Sequence, residues 1–143
     1  METVKELLGS KGRDVWSVKP ESSVFEAIKV MDERGVGALV VLDGSKLVGV
    51  ISERDYARKV ILKGKSSKTT PVKEIMTRKV IYVTPDQTIE ECMALMTAKR
   101  VRHLPVLDGK KLIGMISIGD VVRATISKKE FIIEQLAKYI HGG

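Results

Sequence analysis

The sequence predicts a mixed fold (α+β or α/β) in which two β-α-β-β-α repeats pack with pseudo-two-fold symmetry into one module. Residues 15–60 align without a gap with residues 80–125, at an offset of 65 residues, and a repeat of this length indicates two copies of one structural unit. Each copy contains an Asp-Gly turn between apolar runs, which indicates a β-hairpin. One copy of about 50 residues would hardly bury its own apolar strands, so we expect the two copies to share a core.

Each copy is expected to open with a short strand, over 14–18 in the first copy and 79–83 in the second. A proline follows each strand, Pro20 or Pro85. Because proline has no backbone donor, it cannot extend a central ladder, and the strands are expected to end there.

A helix is expected to follow each of these strands. Both helix starts fit the S/T-x-x-E capping box, as Ser23 with Glu26 and Thr88 with Glu91. Apolar residues recur behind both caps at helical spacing, and the methionines among them are expected to be core residues rather than metal ligands. Gly35 is suited to end the first helix. Arg100 stands at the equivalent place in the second copy, so that helix is expected to end differently.

Two strands around a tight turn come next in each copy. The turns are Asp43-Gly44-Ser45 and Asp108-Gly109-Lys110. The flanking runs are apolar nearly throughout, which predicts strands that are covered on both faces. A second helix is expected to start near Glu53 in the first copy and near Ile118 in the second.

The lead-in segments repeat as well: "VKELL" (4–8) precedes the first copy and "VKEIM" (72–76) the second. Residues 62–71 between the copies are polar and basic, which is typical of a loop. In chain order we expect a first repeat with its lead-in helix at 1–66, a second at 67–127, and a C-terminal amphipathic helix at 128–143. Ser127 with Glu130 fits a capping box for that last helix.

Composition favours a cytoplasmic protein that does not associate with membranes. Hydrophobic residues make up 43% and charged residues 30% of the chain. The longest apolar run, 38–42, is too short to span a bilayer, and the N-terminus lacks the apolar core of a signal peptide. Cys92 is the single cysteine, so no intrachain disulfide can form. It lies on the apolar stripe of a predicted helix, where a buried packing role is favoured over a reactive thiol.

The net charge of +7 suits a partner that carries phosphates or acidic groups, such as a nucleotide, a nucleic acid or an acidic protein. A modest basic cluster lies in and after the linker, at Lys63, Lys65, Lys68, Lys73, Arg78 and Lys79. This cluster fits either a solvated linker or a nucleic-acid patch, and the solvated linker is favoured.

The motif that points to chemistry is glycine, two apolar residues, serine, two residues and aspartate, at 49–55 and again at 114–120. It lies where a strand is expected to meet a helix, and the free amides and the dipole of a helix start favour an anion. The serine can donate to a phosphate oxygen, and the aspartate can accept two hydrogen bonds from a ribose diol. The same residues also suit plain helix capping. The duplication, the small or basic residues before each second strand, and Arg54 favour the ligand interpretation.

The sequence resembles a tandem pair of cystathionine-β-synthase (CBS) domains, or Bateman module. The resemblance runs from Val4 to about Thr125 and is carried by "SVKP", "GALVVLDGSKLVGVISERD", "VTPDQT" and "RVRHLPVLDGKKLIGMISIGD". "ISERDYARKV" with "VKEIM" is similar to stand-alone CBS-pair proteins in particular. The resemblance implies adenosyl ligands, namely AMP, ADP, ATP, S-adenosylmethionine or NAD, in clefts between the copies.

The resemblance also implies which residues form each cleft, with the purine wall of one copy facing the motif of the other. One cleft would use Lys19, Val36, Gly37, Ala38, Met115, Ser117 and Asp120. The other would use Thr84, Val101, Arg102, His103, Val50, Ser52, Arg54 and Asp55. The aspartates would hold ribose; Ser52, Ser117 and Arg54 would face phosphate; Thr84 and the Val101 region would border adenine.

The copies differ where ligand would bind. Lys19 replaces the small hydroxyl residue often found in the family, and Gly119 stands where the first copy has Arg54. Arg102 and His103 are more basic than their counterparts, which are small. We therefore expect the cleft with Asp55 to bind phosphate more tightly, while His103 also suits a structural role bonded to backbone.

Three functions compete at this stage. The leading one is a non-catalytic sensor that binds an adenosyl nucleotide and signals to a separate, unknown target protein; the resemblance implies a homodimer. An enzyme is disfavoured because the sequence shows no nucleophile–base pair and no metal-ligand spacing. Neither catalytic residues nor required cofactors are therefore expected. A nucleic-acid or partner-protein adaptor acting through the basic linker is the alternative, disfavoured by few aromatic residues for base stacking.

Overall fold

The computed structural model describes residues 2–126, 134 and 136–138. It divides into two compact units, Asp14–Tyr82 (the first-copy unit) and Met1–Arg13 with Val83–Gly143 (the second-copy unit). The mixed helix and strand fold predicted from the sequence is confirmed. The C-terminal helix predicted at 128–143, with its Ser127–Glu130 cap, lies outside the described residues except at 134 and 136–138.

The first-copy unit contains a three-stranded sheet in the order β1-β2-β3. Its elements are β1 (Ser17–Val18), α2 (Val24–Arg34), β2 (Ala38–Asp43), β3 (Lys46–Ser52), α3 (Glu53–Tyr56), a π-helical turn (Ala57–Ile61) and α4 (Val72–Ile75). β1 pairs with β2 in parallel and β2 with β3 antiparallel. The buried core brings residues of both helices and strands together, among them Met31, Leu39, Ile51 and Ile75.

The second-copy unit repeats the helix–strand–strand–helix part of this order, with a two-stranded sheet in the order β4-β5. Its elements are α1 (Val4–Lys11), α5 (Ile89–Lys99), β4 (His103–Asp108), β5 (Lys111–Ser117) and α6 (Ile118–Thr125). β4 and β5 pair antiparallel with the same register, relative to their turn, as β2 and β3. Four of the six residues of β2 and three of those of β4 are fully covered, as the apolar runs predicted.

The opening strands are much shorter than predicted. The predicted strand 14–18 is reduced to Ser17–Val18, and in 79–83 only Val83 pairs, through a single parallel bridge to Val106. In the first copy Val40 donates its amide to the carbonyl of Trp16. Pro105 is the equivalent residue and has no N–H, so the second copy loses this ladder bond.

The prediction that the helix of the second copy, α5, ends differently from α2 was wrong. Gly35 ends α2 in the left-handed conformation with φ 64°, as predicted. Arg100 ends α5 in the same conformation, with φ 54°, and donates its amide to the Met96 carbonyl. Among the described residues it is the only non-glycine residue with positive φ. The left-handed conformation at this helix end is therefore adopted by an arginine, although glycine suits that conformation best.

The lead-in segments are exchanged between the copies. Lead-in helix α1 belongs to the second-copy unit and lead-in helix α4 to the first-copy unit. The amide of Val4 donates to Gln87 O, and the equivalent Val72 donates to Ser22 O. The compact units therefore group the lead-ins differently from the chain-order division at 66/67.

Two glycines explain why each lead-in fits its unit. A β-carbon on Gly114 would lie 2.7 Å from Leu8 Cδ2, and one on Gly49 would lie 2.7 Å from Met76 Sδ. Leu8 and Met76 are the last residues of the repeated lead-in sequences. The motif glycines are thus packing positions, where the absent side chain lets the lead-in approach the strand.

Candidate functional site

The motif serines and aspartates form complete capping boxes in both copies. Ser52 ends β3 and caps α3: Asp55 N donates to Ser52 Oγ at 3.2 Å, and Ser52 N donates to Asp55 Oδ2 at 2.9 Å. Ser117 ends β5 and caps α6, with the corresponding distances at 3.2 and 2.8 Å to Asp120. The capping interpretation is therefore confirmed, and it fixes where each carboxylate lies.

Each capping carboxylate also binds a lysine that reaches the lead-in helix or the strand beside it. In the first-copy unit Lys59 Nζ lies 3.0 Å from Asp55 Oδ1 and donates to Ile75 O at 2.9 Å, at the end of α4. In the second-copy unit Lys11, the last residue of α1, lies 2.6 Å from Asp120 Oδ2 and donates to Met115 O at 2.7 Å. An ammonium group thus connects the aspartate to the lead-in in both units. In the first-copy unit the lysine follows the motif and reaches the lead-in helix, whereas in the second-copy unit the lysine belongs to the lead-in helix and reaches the motif.

Asp120 binds a second cation, Arg123, whose Nη2 lies 2.7 Å from Oδ1. The Asp120 side chain is only 7% exposed. Burial by itself raises the pKa of this carboxyl, but the hydrogen bonds from Lys11 and from Ser117 outweigh it, so the pKa lies below its ordinary value. Asp120 is therefore ionised at neutral pH.

Sequence reasoning missed Lys11, Lys59 and Arg123. Arg123 and Lys59 stand three and four residues after their aspartates, which is the spacing at which helical side chains meet. That signal was available from the sequence. Lys11 lies 109 residues from Asp120, and no local pattern reports such a contact.

The residues expected to wall the purine lie beside the motif of their own copy. Gly37 O accepts from Glu53 N at 3.0 Å, and Ala38 pairs with Ser52. In the second copy Arg102 O accepts from Ile118 N at 2.8 Å, and His103 pairs with Ser117.

His103 is half-buried on the strand next to Asp120. Burial lowers its pKa, and the charges of Lys11 and Arg102 act in the same direction against the opposing effect of Asp120. His103 is therefore neutral at physiological pH, and its imidazole adds no fixed positive charge to the site.

The predicted site residues divide between the two units. The first-copy unit holds Lys19, Val36, Gly37, Ala38, Val50, Ser52, Arg54 and Asp55. The second-copy unit holds Thr84, Val101, Arg102, His103, Met115, Ser117 and Asp120. Within each unit the strand pairing joins the wall residues to the motif. The facing of a wall from one copy with the motif of the other stays a prediction.

Several of these residues have backbone or local roles of their own. Thr84 donates its amide to Gln87 Oε1 at 2.9 Å. The Val50 amide and carbonyl both bond to Thr77. Val36 and Val101 donate their amides to Met31 O and Met96 O, just after the helix ends. These contacts fix the backbone around the motif and leave the side chains of Lys19, Arg54 and Arg102 exposed.

The described residues show no cluster of three or more His, Cys, Asp or Glu side chains that could hold a metal ion. Cys92 is fully buried, and burial, followed by the charges of Glu91 and Glu90, raises its pKa to about 11. The packing role predicted for this thiol is confirmed. None of the helices within the described part of the chain is long and apolar enough to cross a membrane.

The chain is similar to several known proteins. It is 43% identical over 151 residues to the mitochondrial CBS domain-containing protein CBSX3 of Arabidopsis thaliana, covering 99% of this chain and 73% of that protein. A solved protein with CBS domains from Burkholderia ambifaria is 55% identical, with a TM-score of 0.87, and the match covers 89% of this chain and 96% of that one.

A third similar protein was solved with ligands. It is the CBS domain pair of protein MJ0100 in complex with 5′-methylthioadenosine and S-adenosyl-L-methionine. That structure is 27% identical, with a TM-score of 0.80, and the match covers 90% of this chain and 99% of that chain. The family model of the CBS domain matches this chain twice, at residues 4–62 and 72–127, so the chain belongs to the CBS-domain family and carries two CBS domains.

Proposed function

We propose that this protein is a non-catalytic regulatory module that binds an adenosyl nucleotide at its two Ser-x-x-Asp motifs and signals to a separate partner. The observation that carries the proposal is the duplicated carboxylate. Asp55 and Asp120 are each held by a capping box and each keep one oxygen, Oδ1, free of backbone contacts. Ordered acceptors of this kind suit the two hydroxyls of a ribose.

The charge around the motifs suits the phosphates of such a ligand. Lys59 lies beside Asp55, and Lys11 and Arg123 lie beside Asp120. Arg54 follows the first capping serine by two residues and is exposed. Cations on a protein with a net charge of +7 favour AMP, ADP or ATP, and secondarily NAD, over the cationic S-adenosylmethionine.

The ligand-bound neighbour supports the adenosyl part of the proposal. Methylthioadenosine and S-adenosylmethionine share a 5′-deoxyadenosyl group with a free 2′,3′-diol, and they bind a CBS pair whose match covers 90% of this chain. The diol is the feature that the motif aspartates would recognise. It is common to every ligand considered for this protein.

Isothermal titration calorimetry with AMP, ATP, S-adenosylmethionine and 2′-deoxyadenosine tests the assignment. The variants are Asp55→Asn, Asp120→Asn and the double variant, because asparagine can still accept from the capping serine amide. Asp43→Asn, at the last residue of β2, removes the same charge elsewhere and is the matched control. We expect each motif variant to abolish one binding event and the double variant to abolish both. Unchanged AMP and ATP affinity in the double variant would overturn the proposal.

Signalling requires that ligand favour one arrangement of the protein through unequal affinity. We infer a homodimer as the acting form and an unidentified protein as the target. Native mass spectrometry of the purified protein reports the oligomer and any co-purified nucleotide together. Chromatography of ATP and NAD after incubation tests the absence of catalysis, since any turnover that Asp55→Asn abolishes contradicts a non-catalytic role.

The adaptor alternative is less well supported by the contacts of the basic linker. Lys65 Nζ lies 4.0 Å from Glu74, and Lys68 Nζ lies 5.3 Å from the centre of the Phe25 ring. Both lysines have partners within their own unit, which is what we expect of a solvated linker rather than of a nucleic-acid patch. A cytoplasmic location also stays a prediction, because a relative carries a mitochondrial name.

A further inference from the structure

The two motif copies differ at the residue before the aspartate, which is Arg54 in the first and Gly119 in the second. At the second motif a cation is supplied by Arg123, four residues after Gly119. Arg123 Nη1 lies 3.3 Å from the point where a β-carbon on Gly119 would be. Residues four apart on a helix share one face, and a helical side chain covers the turn before it. Arg123 therefore occupies the surface that a side chain at 119 would cover.

Asp120 has too few free acceptor positions for a diol while both of its cations are bound. A carboxylate offers about four lone-pair sites, and three are occupied by Ser117 N, Lys11 Nζ and Arg123 Nη2. A vicinal diol requires two sites, so one cation must leave.

The contacts indicate which cation leaves. Lys11 is held a second time by Met115 O at 2.7 Å, and its side chain is 30% exposed. Arg123 is 73% exposed, and Asp120 is its one recorded side-chain partner within the described residues. Arg123 is the more weakly held of the two and the freer to move.

We propose that Arg123 is the phosphate-selecting residue of the second copy. This rests on the function proposed above. The ribose diol takes the Oδ1 position of Asp120, and the displaced guanidinium, on the face that Gly119 leaves open, binds the phosphate of the same ligand. In the first copy Arg54 stands at the motif itself. The two copies thus place their phosphate cation one helical turn apart.

Adenosine and AMP binding, measured by calorimetry in an Asp55→Asn background, tests the assignment. Arg123→Gln should lower the ratio of AMP to adenosine affinity about tenfold, the equivalent of one charge-assisted hydrogen bond. Adenosine itself should bind as well or better, because glutamine competes less for Asp120. Restoring the cation at the other position, as Gly119→Arg with Arg123→Gln, should restore the ratio.

Arg58→Gln is the matched control, since Arg58 aligns with Arg123 in the first copy, and it should leave the ratio unchanged in this background. An unchanged ratio in Arg123→Gln, with both ligands still bound, overturns the role of Arg123 and leaves the proposed function standing. Absence of both adenosine and AMP binding in the Asp55→Asn background overturns ligand binding at Asp120 itself and the role of Arg123 with it.

Discussion

Leu8 packs directly on Gly114, with its Cδ2 2.7 Å from the point where a β-carbon would stand. Met76 has the same relationship to Gly49. Both glycines are buried, Gly114 within β5 and Gly49 within β3. Each lead-in therefore packs against a strand at the glycine of a motif, so both motif glycines have a packing role.

Gly114→Ala and Gly49→Ala should each destabilise the protein by about 1–3 kcal/mol, because the added methyl group overpacks a closed site. Urea unfolding followed by circular dichroism measures the loss. Gly9→Ala is the control: it lies in α1 with nothing within 4 Å of the added carbon, and alanine should stabilise the helix there by about 0.5–1 kcal/mol. Equal effects at Gly9 and Gly114 would contradict the packing role.

The helix ends offer a second prediction. Arg100→Gly should raise the free energy of unfolding by about 0.5–1 kcal/mol, because the left-handed conformation strains every residue with a β-carbon. The reverse change, Gly35→Arg, should lower it by a similar amount. Thermal unfolding of both variants measures the pair, and changes of the same sign in the two would refute the explanation.

Local sequence signals predicted much of this structure. A serine or threonine three residues before an acidic residue predicted the caps of α2, α3, α5 and α6, because a cap is formed by residues that are neighbours in the chain. Tertiary context decided the rest. Arg100 adopts a glycine conformation because the chain must turn into β4, and Pro105 removes a ladder bond that its counterpart Val40 makes.

The candidate site shows the same division between local and distant contacts. The Ser-x-x-Asp pairs could be recognised in the sequence, and the i,i+3 spacing from Asp120 to Arg123 also predicts that these two side chains meet. Lys11 reaches Asp120 only because Leu8 seats α1 on Gly114. A contact over that sequence separation depends on which unit the lead-in joins, and the repeat pattern alone does not specify it.

The charge state of His103 gives a third prediction, a loss of stability in mild acid. Its folded pKa lies below the ordinary value, which is about 6.5 in an unfolded chain. The unfolded chain therefore binds a proton first as the pH falls, and stability should decline below about pH 6.5. His103→Gln should flatten the curve between pH 5 and 6.5. Urea unfolding across pH 5–8 measures this, and an equal slope in both proteins would rule out His103 as its source.

The fourth prediction concerns Lys11 and the titration of Asp120. With Lys11 present the folded pKa of Asp120 is depressed, so this carboxylate contributes stability above about pH 3.9 that is lost as the pH falls through the folded value. Lys11→Met removes the hydrogen bond and the charge of Lys11, which both lower this pKa, so the pKa should rise. The variant should lose about 1–3 kcal/mol at pH 7, and its stability should rise less steeply than the parent's as the pH rises from 3.5 to 5.

Urea unfolding between pH 3.5 and 7, with amide hydrogen exchange over residues 4–11, measures both consequences of losing Lys11. Exchange in α1 should accelerate because the ammonium no longer joins the helix to Asp120 and to Met115 O. Lys5→Met is the matched control: it removes the same charge from an exposed position on the same helix, and should alter neither the pH profile nor the exchange. If Lys5→Met and Lys11→Met behave alike, general charge rather than the contact with Asp120 controls the stability of the lead-in helix.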